Sequence, residues 1–361
     1  MDFFVEASLM ACIGFIRTWI EQGTGSDLAL PLTVVLLLAG LALIIKGGDW
    51  FVDSAAWIAE ISGIPKLIVG ATVVSLATTL PELLVSSFAA AEGNVSISIG
   101  NAVGSVTANI GLVLAIGLIF MPCAVKKIDY AVKSALMLGG GVLLFFLTFT
   151  GKLHFLPSLV LIVVFIVFAA DNVIRAVKEQ RAGKRISDTV DVTDKPERRK
   201  ISGRREIVTN VAKFVLGVAG IVIGADLLSE NGEAFALQLG VPPRIVAITV
   251  IAIGTSLPEL VTTITAVVKK QNELSFGNVI GANIIDIALI LPVSAAISKG
   301  GVLIVDNMNS VLVDIPVMLG LGAIALVPML ITGKFKRWQG IALLGLYVVY
   351  IALMAAGVVP V

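Results

Sequence analysis

The sequence predicts an all-α integral membrane protein of ten transmembrane helices arranged as two inverted five-helix repeats. Three observations predict it. The 361 residues are 57% hydrophobic and only 14% charged, with a mean hydropathy of +1.01, whereas soluble domains carry roughly 25% charged residues. Continuous apolar runs recur at the length of about 20 residues that crosses ~30 Å of hydrocarbon. The chain also matches itself without a gap at an offset of 177 residues.

Taken in order, residues 1–27 hold a short apolar run, Phe3–Ile20, interrupted by Glu6 and Arg17 and preceded by Asp2 rather than a basic residue. That pattern suits an interfacial helix or an extra span better than a signal peptide. Residues 28–174 form the first five-helix unit, with spans expected near 30–46, 67–91, 97–121, 130–150 and 156–174. Segment 175–206 carries eleven Lys/Arg against six Asp/Glu with almost no apolar periodicity, which favours a solvated linker over a nucleic-acid or anionic-lipid patch. Residues 207–361 form the second unit, with spans near 208–228, 245–268, 276–298, 311–332 and 338–359. β-Barrel strands would show alternating segments of about ten residues, and these runs are longer and unbroken.

A cytoplasmic linker brings 21 of the 26 basic residues to one side, among them Lys126, Lys127, Lys133, Lys334, Lys336 and Arg337. The positive-inside rule therefore places a multi-pass protein in the cell (inner) membrane with that linker inside. Cys12 and Cys123 lack a metal or redox spacing and read as packing residues, and His154 reads as a surface residue.

The offset pairs Asp49 with Asp226, Gly63 with Gly240, Pro65 with Pro242, Thr72 with Thr249, Asn101 with Asn278 and Gly104 with Gly281. Each unit holds an odd number of spans, so the second copy enters the bilayer in the opposite direction, as in many secondary transporters. The best match joins Ala77-Thr78-Thr79-Leu80-Pro81-Glu82 to Gly254-Thr255-Ser256-Leu257-Pro258-Glu259. Pro81 and Pro258 cannot donate to the carbonyls of Ala77 and Gly254, which frees backbone oxygens. Thr78 and Glu82, like Thr255 and Glu259, are four apart and are expected on one helix face.

The next helix of each unit carries Gly100-Asn101…Gly104-Ser105…Asn109 and Gly277-Asn278…Gly281-Ala282…Asp286. Glycines four apart allow close helix approach, and Ser105 with Asn109, or Ala282 with Asp286, can complete an oxygen shell. An ionised carboxylate at the bilayer centre costs about 2.5–3.5 kcal/mol on insertion scales, so Glu82, Glu259 and Asp286 call for a compensating cation. Carboxylates, hydroxyls and carbonyls suit Ca²⁺ and Na⁺, whereas thiolates and imidazoles would suit softer metals. Asn101 and Asn278 read equally well as packing or ligating residues. Asp49 and Asp226 read as interfacial, and Asp314 has no assignable role. A channel or an intramembrane enzyme are the other classes; the duplicated Thr and Pro beside the acids favour coordination over proteolysis.

At these residues the chain resembles the cation/calcium antiporter superfamily, most closely the sodium/calcium exchangers of the compact prokaryotic type, over nearly the whole ten-span core. The resemblance implies antiport of Ca²⁺ against Na⁺ by alternating access, with K⁺ or H⁺ as other coupling ions. It implies no cofactor, no obligatory protein partner and no covalent chemistry; the lipid bilayer is the only further surroundings. Carried over by motif position, Glu82, Glu259, Thr78 and Thr255 would bind Ca²⁺, and Asn109 and Asp286 would stand at the middle of the cluster. Ser105, Thr79, Ser256 and the carbonyls of Ser75 and Ala252 would flank it as Na⁺ ligands. The first and sixth helices would slide across the core to switch access. Ala282 stands where the family's second repeat supplies a serine.

Overall fold

The computed structural model describes residues 26–93, 95–189, 203–238, 254, 256–305, 308 and 310–356. Helix α1 (Ser26–Ser62) leads to a broken segment, α2 (Lys66–Val69), a π-turn at Gly70–Val74 and α3 (Ser75–Thr78), followed by α4 (Leu80–Glu92). The third membrane segment is α5 (Val95–Ala108), a π-turn at Asn109–Leu114 and α6 (Ala115–Phe120). Strand β1 (Cys123–Ala124), α7 (Lys127–Thr148), β2 (Lys152–His154) and α8 (Phe155–Thr189) complete the first half.

The second half opens with α9 (Arg204–Gln238). After it come α10 (Leu257–Val268) and α11 (Asn272–Ile285), a π-turn at Asp286–Ile290 and α12 (Leu291–Ile297). Strand β3 (Val302–Ile304), a π-turn at Ser310–Asp314, α13 (Ile315–Thr332), β4 (Lys334–Phe335) and α14 (Arg337–Ala355) finish it. Among the described residues eight helices are long and apolar enough to span, or nine when the bent pair Lys66–Thr78 and Leu80–Glu92 is one span. The expected span at 245–268 lies partly outside the described residues.

The burial pattern is that of a membrane bundle. The spans containing α5 and α11 are 72% and 78% buried, whereas α8 is 17% buried, so the motif-bearing helices are central and α8 faces lipid. Phe146, Leu156 and Ile331 stay exposed, which costs nothing where the solvent is hydrocarbon.

Several boundaries differ from expectation. Helix α1 continues past the charged Lys46 and Asp49 to Ser62, because the acids on its polar end meet a partner: the Lys269 ammonium lies 2.8 Å from Asp53 and 3.3 Å from Asp49. Helix α8 runs on through Arg175 to Thr189. Helices α1 and α9 pack closely, and a Cβ added at Gly47 would stand only 2.9 Å from the Gly217 carbonyl oxygen. Trp57 Nε1 donates to Glu206 Oε1 at 2.9 Å across the same pair.

Lys133, counted among the basic residues of one membrane face, has its side chain fully buried on α7, 3.3 Å from Asp171 of α8. Asp171 in turn holds Arg175 Nε at 2.8 Å, and Arg175 reaches Asp129 at 3.3 Å. A partner on the neighbouring helix makes the burial tolerable. Asp171→Asn is expected to cost about 3 kcal/mol, because it strands Lys133 in the packed interior. Lys133→Met should be milder, since Asp171 keeps Arg175. Melting of the two variants in detergent checks the order; equal losses would mean the network holds nothing. Asp314 also gains a partner, accepting a 2.8 Å hydrogen bond from Tyr350 Oη.

Two short antiparallel ribbons cross between the halves. β1 pairs with β4, Cys123 opposite Phe335, and β2 pairs with β3, Leu153 opposite Leu303. Phe335, Leu153 and Leu303 are all buried, so each ribbon pins an apolar residue under the ends of four membrane segments.

Candidate ion site

The helix breaks come from the two prolines. Pro81 sits in the first turn of α4, where its missing N–H is harmless, and the preceding turn ends at Thr79 with φ −87° and ψ 0°. Ser256 repeats this ahead of Pro258 and α10, with φ −90° and ψ 7°. The two parts of the first segment meet at 44°. Thr78 and Glu82 thus stand on either side of a break instead of on one uninterrupted helix face, which corrects the simple four-residue spacing.

Glu82 and Glu259 fall in the first turns of α4 and α10, at helix N-termini whose dipoles favour negative charge. Both are fully buried, as are Asn109 and Asp286. Those last two each open a π-turn. The π-turn that begins at Asn109 packs against α10, the helix of Glu259, and the one that begins at Asp286 packs against α4, the helix of Glu82. Each half therefore presses its second motif onto the first motif of the other.

Glu82, Glu259 and Asp286 are close enough for the charge of one to act on the next. Thr78 and Glu82 are polar neighbours of Glu259 without meeting hydrogen-bond geometry. The carboxylate oxygens of all three acids, both side-chain ends of Asn109 and the Ser256 hydroxyl are buried with no protein hydrogen-bond partner. Buried polar atoms are almost always paired, so such a group of orphans needs a physical reason. Among the described residues no three His, Cys, Asp or Glu side chains converge closely enough to cage a metal alone. Any cation held here takes part of its shell from neutral oxygens.

Thr79 Oγ1 donates to the Ser75 carbonyl at 2.7 Å, which spends its proton and leaves its lone pairs. The Ser75 carbonyl also receives Thr79 N at 2.9 Å and Thr78 Oγ1 at 3.3 Å, so of the proposed Na⁺ ligands it is the most heavily engaged. Ser105 is buried on α5. Thr255 and Ala252, the remaining candidates, lie outside the described residues.

Asn101 and Asn278 resolve in different ways. Asn101 Nδ2 donates to Ser86 Oγ at 3.0 Å and to the Glu82 carbonyl at 3.3 Å, holding α4 on α5. Asn278 Oδ1 accepts from Thr78 Oγ1 at 3.2 Å, and its Nδ2 is a buried orphan. Asn278 thus stands beside the candidate ligand Thr78. The repeated Gly-Asn pair was the signal for it, and only packing decides between the two uses. Close approach makes the contact: Gly277 and Gly281 of α11 lie against residues 67–75, and a Cβ at Gly281 would meet the Ala71 carbonyl oxygen and Ser75 Oγ, both at 2.7 Å.

Broken helices that meet with buried acids and hydroxyls define a membrane transport protein for cations. The chain belongs to the sodium/calcium exchanger family: the model of the "Sodium/calcium exchanger protein" family matches residues 32–171 and 209–356. It is 31% identical over 356 residues to the sodium/calcium exchanger MaX1 of Methanosarcina acetivorans, covering 89% of this chain and 97% of that protein. It is 32% identical over 272 residues to the inner membrane protein YrbG of Escherichia coli, covering 74% and 81%. The solved structure of the sodium-calcium exchanger NCX_Mj, soaked with Na⁺ and Ca²⁺, superposes with a TM-score of 0.73 at 29% identity, over 90% of this chain and 98% of that one. The family is one of exchangers and not of enzymes.

Proposed function

We propose that the chain is a secondary-active antiporter exchanging Ca²⁺ for Na⁺ by alternating access, with both ions competing for the acids Glu82, Glu259 and Asp286. The observation that carries this reading is the set of buried carboxylate oxygens left without protein partners at two equivalent helix breaks. One Ca²⁺ or several Na⁺ neutralise the same charge, so binding of either expels the other. Thr78, Thr79, Ser105, Asn109, Ser256, the Ser75 carbonyl and, by repeat position, Thr255 and the Ala252 carbonyl supply the neutral oxygens. Hard cations accept this mixture.

The ribbons support the inverted arrangement. β1 and β2 flank α7 and so lie on opposite faces of the bilayer, and β3 and β4 flank α13 in the same way. β3 holds the place in its repeat that β1 holds in the first, yet it pairs with β2. The two copies run in opposite senses. With the basic linker inside, the β1–β4 ribbon faces the cytoplasm.

Proteoliposomes test the coupling. Calcium uptake into sodium-loaded vesicles is expected to require the outward sodium gradient, and uptake that follows only a pH gradient would overturn the sodium assignment. Ala282→Ser, restoring a hydroxyl one turn before Asp286, is expected to lower the half-inhibitory Na⁺ concentration for calcium uptake by about threefold, on the order of one weak ligand. An unchanged value would remove position 282 from the site.

A further inference from the structure

An open groove of about 400 Å³ lies beside the β1–β4 ribbon, lined by Pro122, Cys123, Lys334, Phe335, Lys336 and Arg337 among others. Nothing in cation exchange uses it. It opens where four membrane segments end or begin: α6 at Phe120, α7 at Lys127, α13 at Thr332 and α14 at Arg337. Among the described residues Lys334, Lys336 and Arg337 form no ion pair with an acid. Two cations of this rim are fixed in advance, Arg337 by Nε donating to the Ile119 carbonyl at 2.9 Å and Lys127 by its ammonium on the Ile331 carbonyl. Holding a donor still before the ligand arrives lowers the ordering cost of binding.

The same four helix ends carry exposed apolar side chains. Phe120 and Ile128 are both 67% exposed, Ile331 69% and Trp338 49%. A soluble anion gains nothing from such an apron, whereas a phospholipid gains from both parts, its phosphate on the cations and its acyl chains along the helix ends. The β2–β3 ribbon carries a single lysine, Lys152, with His154, opposite Val302, Leu303 and Ile304. Glu273 approaches Cys123 at the groove and opposes an anion, leaving the balance positive. We propose that this groove binds the headgroup of an anionic phospholipid such as phosphatidylglycerol. Basic pockets between helix ends are the recognised form of such sites.

The proposal is independent of the ion assignment and is tested on the full chain in bilayers. Trp338 reports it directly: the part of the tryptophan quenching lost in Trp338→Phe is measured with brominated phosphatidylglycerol and with brominated phosphatidylcholine. The wild type is expected to prefer the anionic lipid by about tenfold or more. Lys334→Gln and Lys336→Gln should each lower that preference about fivefold, and Glu273→Gln should raise it. Free glycerol phosphate at millimolar concentration should leave the quenching unchanged. Equal quenching by the two lipids in the wild type would overturn the proposal, as would displacement by glycerol phosphate. So would a preference that survives the double lysine substitution while disappearing when Lys178 and Arg175 are neutralised, since that result would describe general surface charge.

Discussion

Glu82→Gln is expected to abolish calcium exchange while leaving the protein folded. Gln has nearly the size of Glu, so packing around α4 is kept. The change removes a buried charge whose desolvation opposes folding, so the melting temperature in detergent should hold or rise. The same change deletes one of the three carboxylates of the proposed site, leaving Glu259 and Asp286. Removing one partner of a buried charge pair costs about 3–5 kcal/mol, which corresponds to a loss of roughly 10²-fold to several thousandfold in cation affinity. Calcium uptake in proteoliposomes should fall to background, and Glu259→Gln, its repeat mate, should behave alike. Normal exchange by both variants, with normal melting, would refute the site.

Gly277→Ala has the largest expected effect on stability. At this position α11 crosses the broken second segment so closely that an added Cβ would run into the Leu67 carbonyl oxygen, with the Leu67 carbonyl carbon and the Ala71 nitrogen each at 3.1 Å. All three obstacles are backbone, so no rotamer change relieves them. Overpacking typically costs 1–3 kcal/mol, and a backbone obstacle on both sides places this site at about 3 kcal/mol or beyond. Gly345 is the control, because nothing among the described residues lies within 4 Å of a Cβ there. A melting curve for Gly277→Ala that matches Gly345→Ala would show that the crossing is looser than described. Because the same crossing places Asn278 beside Thr78, a folded Gly277→Ala protein should also bind calcium poorly.

Much of this was legible in the residues. The duplication, the prolines that break the second segment and prepare the start of α10, and the paired acids are all local or periodic signals. Pro81 and Pro258 act through a missing donor, which holds in any environment. The π-turns at Asn109 and Asp286 were not legible, since a single i→i+5 turn leaves the apolar pattern nearly unchanged and is fixed by the helix packed against it. The burial of Lys133 was not legible for a related reason: it depends on Asp171, which faces it from the neighbouring helix. The length of α1 was underread because Asp49 and Asp53 break the hydropathy of the run, while Lys269, distant in sequence, neutralises them.

The two ribbons limit how the molecule can move. Each joins a strand of one half to a strand of the other, one ribbon at either end of α7 and α13. A hinge that swung one half bodily against its twin would have to tear both pairs of strands and lift Phe335 and Leu153 from their apolar seats. Helices α1 and α9 carry no such stitch and lean chiefly on each other. In the exchange cycle we propose, the low-cost movement is a translation of that glycine-lined pair along a frame clamped at top and bottom. That proposal divides the molecule into a two-helix shuttle and a riveted core, a division that cuts across the two sequence repeats.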